Sequence, residues 1–253
     1  LQKLKYFCIM KEATTIFGIR AVIEAIESGE SIDKIFIQKG LSGELFSELK
    51  RTLSKGNYNI SYVPQEKLYK LSKGNHQGVV AKISPIAFKG LEETVEPILA
   101  KKEVPFFLLL DQINDVRNFG AIIRTAECCG VDAIIIPEKG AAPINADTVK
   151  TSAGAVFNIP ICKVNHIKDA VFYLQSSGIQ TVAATEKTDN LIYNIDFKKP
   201  TAIIMGNEAK GISPSILKTI DHKAKLPMHG EIASLNVSVA CGAFLYEVVR
   251  QRI

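Results

Sequence analysis

The chain has 253 residues, 47% of them hydrophobic and 23% charged, with a formal net charge of +5. That length suits one large domain or two smaller ones, and no run of about 18 uncharged apolar residues is present to cross a membrane. The mild positive charge permits a nucleic-acid partner without requiring one. From the front, IFGIRAVIEAIESG reads as an amphipathic helix ended by Gly29, and KIFIQ (34–38) as a strand. GELFSELKRTLSKG reads as a helix ended by Gly56, ISYV (60–63) as a strand, QEKLYKLS as a short helix and VVAKI (79–83) as a further strand. Residues 85–103 break this rhythm with prolines and paired lysines, which predicts a linker with one short helix between domains 1–84 and 104–253. Beyond it, FFLLL (106–110), AIII (133–136), PICKV (160–164), TVAAT (181–185) and TAIIM (201–205) are continuous apolar runs. Such runs are expected of strands buried on both faces of a parallel sheet, so the fold class is α/β.

Three polar loops stand out against these apolar runs, and ligands of open α/β sheets bind at loops leaving the carboxyl ends of strands. The first follows FFLLL: Asp115, Arg117 and Asn118 precede Gly120, where a helix is expected to begin and Asn118 can cap it. Arg124 then interrupts a small, apolar run, and equally suits an exposed arginine on an amphipathic helix. In the second loop Gly206 and Gly211 bracket Asn207, Glu208, Ala209 and Lys210, leading to a helix near Ser213. Ile212 stands where a phosphate-binding loop needs lysine, so that motif is excluded. The third loop enters a helix with Ser234 as its expected N-cap. Leu235, Val237, Val239, Phe244, Leu245 and Val248 cover more than one face of that helix, which predicts packing on the sheet and on a second surface. Asn236 and Ser238 in this apolar text need hydrogen-bond partners or capping roles.

Cys8, Cys128, Cys129, Cys162 and Cys241 form no CxxC pair, and the four histidines show no ligand spacing. No metal and no disulfide framework are expected. Cys128, Cys129 and Cys241 read as small buried hydrophobes. The opening text, LQKLKYFCIMKEATTIFG, lacks the apolar length and cleavage site of a secretory signal, so a cytoplasmic location is expected.

In order, NDVRNFGAIIRTAECCG, IIMGNEAKGIS and LPMHGEIASLNVSVACGAFLYEVVRQR resemble the three motifs of the SpoU (TrmH-like) RNA ribose 2′-O-methyltransferases of the SPOUT superfamily. IFGIRAVIEAI and GNHQGVVA resemble the substrate-binding domain of the RlmB branch, so the likeness runs from about Ile16 to the end. The resemblance implies a small ribosomal-protein-like front domain that grips RNA, and a C-terminal parallel-sheet domain with a deep trefoil knot. It implies S-adenosylmethionine as cofactor, a homodimer, and a guanosine ribose in 23S ribosomal RNA as acceptor. A ribose methyltransferase acting on tRNA, or a non-catalytic RNA-binding protein, are the alternatives. By position, Gly206, Leu226 and Leu235 match cofactor-contacting residues, and Asn118, Arg124, Glu208, Ser234 and Asn236 match the catalytic polar set. His76 and Gln77 occupy the GNHQG loop, where the resemblance implies RNA contact or simple turn chemistry. Val116 replaces the proline usual in the first motif, which loosens the expected geometry of that loop.

Overall fold

The structure is a computed structural model that describes residues 15–231 and 234–253. Cys8, most of the opening text, and Ile232 and Ala233 of the third motif lie outside the described residues. The chain divides into two compact units, one reaching Ala87 and including 143–146, the other formed by the rest.

The first unit holds β1 (Thr15–Phe17), α1 (Ile19–Glu27), β2 (Ile32–Gln38), α2 (Glu44–Leu53), β3 (Ile60–Val63), α3 (Gln65–Leu71) and β4 (Val79–Ile83). Its sheet runs β1-β4-β2-β3, with β4 antiparallel to both neighbours and β2 parallel to β3. Alternation along β2 buries Ile35 and Ile37 against Ile19, Val22 and Ile23 of α1 and Phe46, Leu49 and Leu53 of α2. Burying a side chain of this size stabilises by about 1.5–3 kcal/mol. On the other sheet face Leu68 of α3 packs with Val63 and Val80. Ile16 and Phe17, expected in the first helix, are instead strand residues paired with β4. Gly18, at φ +97°, turns the chain between strand and helix in a region that other residues rarely adopt.

The second unit holds α4 (Leu91–Lys101), β5 (Phe106–Asp111), α5 (Val116–Cys128), β6 (Ala133–Pro137), α6 (Ala146–Thr151), β7 (Ile161–Val164) and α7 (Ile167–Ser176). There follow β8 (Gln180–Ala184), β9 (Thr201–Gly206), α8 (Pro214–Leu217), β10 (His222–Ala224) and α9 (Val237–Arg252). All neighbours in the sheet, ordered β10-β8-β9-β5-β6-β7, are parallel. Every residue of β5, β6 and β9 is buried, as the continuous apolar runs predict. Phe107, Leu109, Ile135, Ala202 and Ile204 face Val95 of α4, Val171 and Leu174 of α7 and Ile216 of α8. Helices α5 and α9 pack on one another. The three-residue β10 escapes the sequence reading because two of its residues are exposed.

Strand order positions the site. From β5 the chain adds β6 and β7 to one side, whereas from β9 it adds β10 beyond β8 on the other. Adjacent strands β5 and β9 are therefore a topological switch point, where loops diverge and leave a crevice above the sheet. No helix among the described residues is long and apolar enough to cross a membrane. Cys162 and Cys241 are buried and Cys129 is half-buried, but Cys128, expected to be buried, ends α5 on an exposed side. Burial pushes the Cys241 thiol above its ordinary range and that of Cys129 up to about 11.

Candidate active site

Each of the three polar loops leaves one strand of this sheet: β5, β9 or β10. In the first, helix α5 begins at Val116 rather than at Gly120, and its cap is Asp115 rather than Asn118. The Asp115 carboxylate accepts from the backbone N–H of Arg117 (3.0 Å) and Asn118 (2.8 Å). Val116 thus holds the first helical position, where proline's fixed φ would serve and its missing N–H would cost nothing. The Asp115 cap fixes the loop with valine there. Gly120 falls within the helix, where a Cβ would meet Thr151 Oγ1.

The second loop is a closed turn. Asn207 and Gly211 exchange backbone hydrogen bonds of 3.1 and 2.7 Å, and Gly211 sits at φ +67°. Asn207 Oδ1 accepts from Ala209 N–H (2.9 Å) and Lys210 N–H (3.3 Å), while its Nδ2 donates to the Gln112 carbonyl (3.0 Å). Buried Asp111 accepts from Ser213 N–H at 2.7 Å, tying the end of β5 to the start of α8. At Gly206 a Cβ would meet the backbone of Gly211 and Ile212, so only glycine allows the loop to fold back here.

The third loop enters α9 through Asn236, not Ser234, as N-cap. Asn236 Oδ1 accepts from Ser238 N–H (2.9 Å) and Ser238 Oγ (2.6 Å). Its Nδ2 donates to Asn118 Oδ1 (3.1 Å) and Glu208 Oε1 (2.9 Å), and Asn118 Nδ2 donates to the same carboxylate oxygen (2.9 Å). An ionised carboxylate only accepts, so both amides must turn their NH₂ groups towards Glu208. One residue from each loop meets here, and Glu208 Oε1 is the hub.

Beside this network lies a cavity of about 470 Å³, within the range of small-molecule sites. Met205, Leu226, Leu235 and Phe244 give it apolar surface, and residues 206–211 of the second loop also line it. Ser234 lines it without joining the network. Leu235 is 42% exposed at this cavity, an apolar surface that a ligand would cover. Thr185, Glu186 and Lys187, from the loop after β8, also line it. Sequence reasoning missed that fourth loop, although EKTDN after an apolar strand carries the same signal as the other three.

Arg124 stands apart. It is exposed on α5 and makes no side-chain hydrogen bond among the described residues. It lies seven residues after exposed Arg117, so the two share a helix face. The other predicted pair lies in the first unit. His76 is buried at 4% exposure, and Gln77, at φ +49°, accepts from Ile19 N–H through Oε1 at 3.3 Å.

A parallel α/β sheet with a cavity at the carboxyl ends of β8, β9 and β10 and an amide–carboxylate cluster alongside suits a domain that holds a small cofactor next to a polar reaction site. The family described as SpoU rRNA Methylase matches residues 105–246, and that described as RNA 2′-O ribose methyltransferase substrate binding matches residues 15–88. A Bacillus subtilis relative assigned to the TrmH family of tRNA/rRNA methyltransferases is 33% identical over 237 residues, 94% of this chain and 95% of its own length. The AdoMet-bound rRNA methyltransferase of Sinorhizobium meliloti superposes with a TM-score of 0.61 at 25% identity, over 95% of this chain and 88% of its own. The A. aeolicus TrmH/SpoU tRNA-modifying enzyme covers 64% of this chain and 84% of its own, with 32% identity and a TM-score of 0.55. The chain belongs to the SpoU methylase family. It is an RNA methyltransferase that uses S-adenosylmethionine.

Proposed function

We propose that the protein methylates the 2′-hydroxyl of a ribose, that of a guanosine in 23S ribosomal RNA, and acts as a homodimer. The observation that carries this reading is the meeting of Asn118, Glu208 and Asn236 beside the Gly206 cavity. In this reading the backbone from Gly206 to Gly211 holds the polar end of the cofactor, and Leu226 and Leu235 cover its apolar surface. Bound there, S-adenosylmethionine supplies an electrophilic methyl on a cationic sulfur. Asn118, Glu208, Ser234 and Asn236 orient the ribose at the cavity mouth, and holding two reactants in register can supply much of the rate. Arg124 grips the neighbouring phosphate and stabilises the developing alkoxide. A guanidinium carries donors and no acceptor, which makes it a poor base.

Residues 1–84 select the RNA and 104–253 carry the chemistry in this proposal; of the expected linker 85–103, helix α4 packs into the core of the second unit through Val95. The trefoil knot belongs to it too, supported by the fold shared with the Sinorhizobium meliloti rRNA methyltransferase. A second copy is inferred from the outer stripe of α9, where Val239 and Tyr246 are 57% and 56% exposed. The ribosomal substrate is favoured because the Sinorhizobium meliloti rRNA enzyme spans nearly the whole chain, front unit included. The tRNA alternative draws on the higher identity of the A. aeolicus tRNA enzyme over its shorter match. Incubation with methyl-labelled cofactor and either naked 23S rRNA or bulk tRNA decides between them. Label confined to tRNA overturns the ribosomal assignment and leaves ribose methylation standing.

A further inference from the structure

His76 closes one side of a cavity of about 310 Å³ in the first unit. Its Nδ1 accepts from Gly78 N–H at 3.1 Å, so Nδ1 carries the lone pair and the ring proton sits on Nε2. That Nε2–H is buried and meets no acceptor among the described residues. A buried donor left unpaired is costly, so an unpaired one beside a cavity points to a ligand acceptor.

The other walls say what kind of acceptor. The amides of Gln38, Gln65, Asn75 and Gln77 line the cavity with Tyr69 and His76, and no charged side chain joins them. Neutral amides offer donors and acceptors side by side, as the edge of a nucleobase requires, whereas a phosphate would call for cations. The Tyr69 ring meets the imidazole edge-on, with centroids 4.7 Å apart. It is 57% exposed and its hydroxyl accepts from Gln65 Nε2 at 3.0 Å, so little holds it in place. Lys67, Lys70 and Lys73 are exposed on α3 and just beyond it, suited to the backbone of a strand whose base is inserted.

We propose that this cavity is a subsite for one unstacked base of the RNA, which displaces Tyr69, stacks on its ring and accepts from His76 Nε2–H. The inference rests on the RNA reading above and adds a binding contact in the first unit, separate from the methyl-transfer cluster. Full-length protein labelled with ¹⁵N in its imidazoles is titrated with the four ribonucleoside 5′-monophosphates and, separately, with inorganic phosphate. The His76 Nε2 resonance is expected to move with at least one nucleotide and not with phosphate. Tyr69→Ala removes only an exposed ring. Base stacking on an aromatic side chain is worth about 1–3 kcal/mol, so this variant should weaken RNA binding by about 5- to 150-fold and leave cofactor affinity unchanged. An unmoved His76 signal with all four nucleotides, an equal response to phosphate, or unaltered RNA affinity in Tyr69→Ala each overturns the subsite. The titration requires no methyl transfer, so a failure of the methyltransferase reading shows separately, as wild-type protein that labels no RNA.

Discussion

Replacing Gly206 by alanine tests the cofactor cavity at its tightest point. The added Cβ falls within 3 Å of Ile212 N and of Gly211 C and O, all backbone atoms that no side-chain rotation can clear. The turn must therefore open, straining the paired hydrogen bonds between Asn207 and Gly211 and displacing one wall of the cavity. Overpacking of this kind costs about 1–3 kcal/mol, and each hydrogen bond lost adds about 1 kcal/mol. A domain of this size shifts its midpoint by about 2–4 °C per kcal/mol, so the Tm should fall by about 4–20 °C. Cofactor affinity, read by isothermal titration calorimetry, should drop at least tenfold, because the displaced atoms are those proposed to hold it. Thermal melts with and without S-adenosylmethionine separate the two effects, since a ligand at free concentration L stabilises the folded state by RT ln(1 + L/Kd) and so raises the midpoint less as Kd grows. A variant that melts with the wild type and binds cofactor within twofold refutes the assignment of this turn.

Arg124→Ala should abolish methyl transfer while leaving cofactor affinity within a few-fold, and Arg124→Lys should recover little, because a point charge cannot reproduce a forked contact. Near wild-type turnover in either variant returns Arg124 to an ordinary surface role. Tyr246→Glu should convert a dimer to a monomer in sedimentation velocity, and an unshifted dimer would place the interface elsewhere. For Asp221, burial acts to raise the carboxyl pKa, but donation from Thr181 N–H and Oγ (both 2.8 Å) and from Gln175 outweighs it and holds the value below the ordinary 3.8. Its stabilising contribution is therefore complete above the unfolded pKa and is lost as pH falls through the lower folded one. Asp221→Asn should flatten the dependence of urea stability on pH between about 5 and 3; parallel curves for variant and wild type would contradict this.

The buried strands were legible because β5, β6 and β9 each carry at least four consecutive apolar residues, a pattern that burial on both sheet faces favours. Helix starts were harder to read. DVRN and SLN each offer two capping residues, and local chemistry does not rank them. At α9 the choice of Asn236 agrees with its bonds to Asn118 and Glu208, which are contacts made across the chain. The resemblance named the members of that cluster, but no spacing in the sequence shows that three loops so far apart converge on one carboxylate oxygen. Ile16 and Phe17 fit a helical period as well as a strand, and pairing with β4 decided the matter. The burial of His76 was equally hidden: a histidine in a glycine-flanked polar loop reads as exposed, and only the fold of α3 and the following turn encloses it.

The central claim is that the three-loop cluster delivers a methyl group to a ribose oxygen. Its most direct test is the chemical position of methyl groups that purified protein adds to ribosomal RNA in the presence of S-adenosylmethionine. A 2′-O-methyl leaves no free hydroxyl to attack the adjacent phosphodiester, so alkaline hydrolysis should leave an uncut, labelled dinucleotide. Mass spectrometry should then place the added mass on the ribose, and the Arg124→Ala protein should yield no such product. Label released as alkali-cleaved mononucleotides, with the methyl group on the base, would contradict the account.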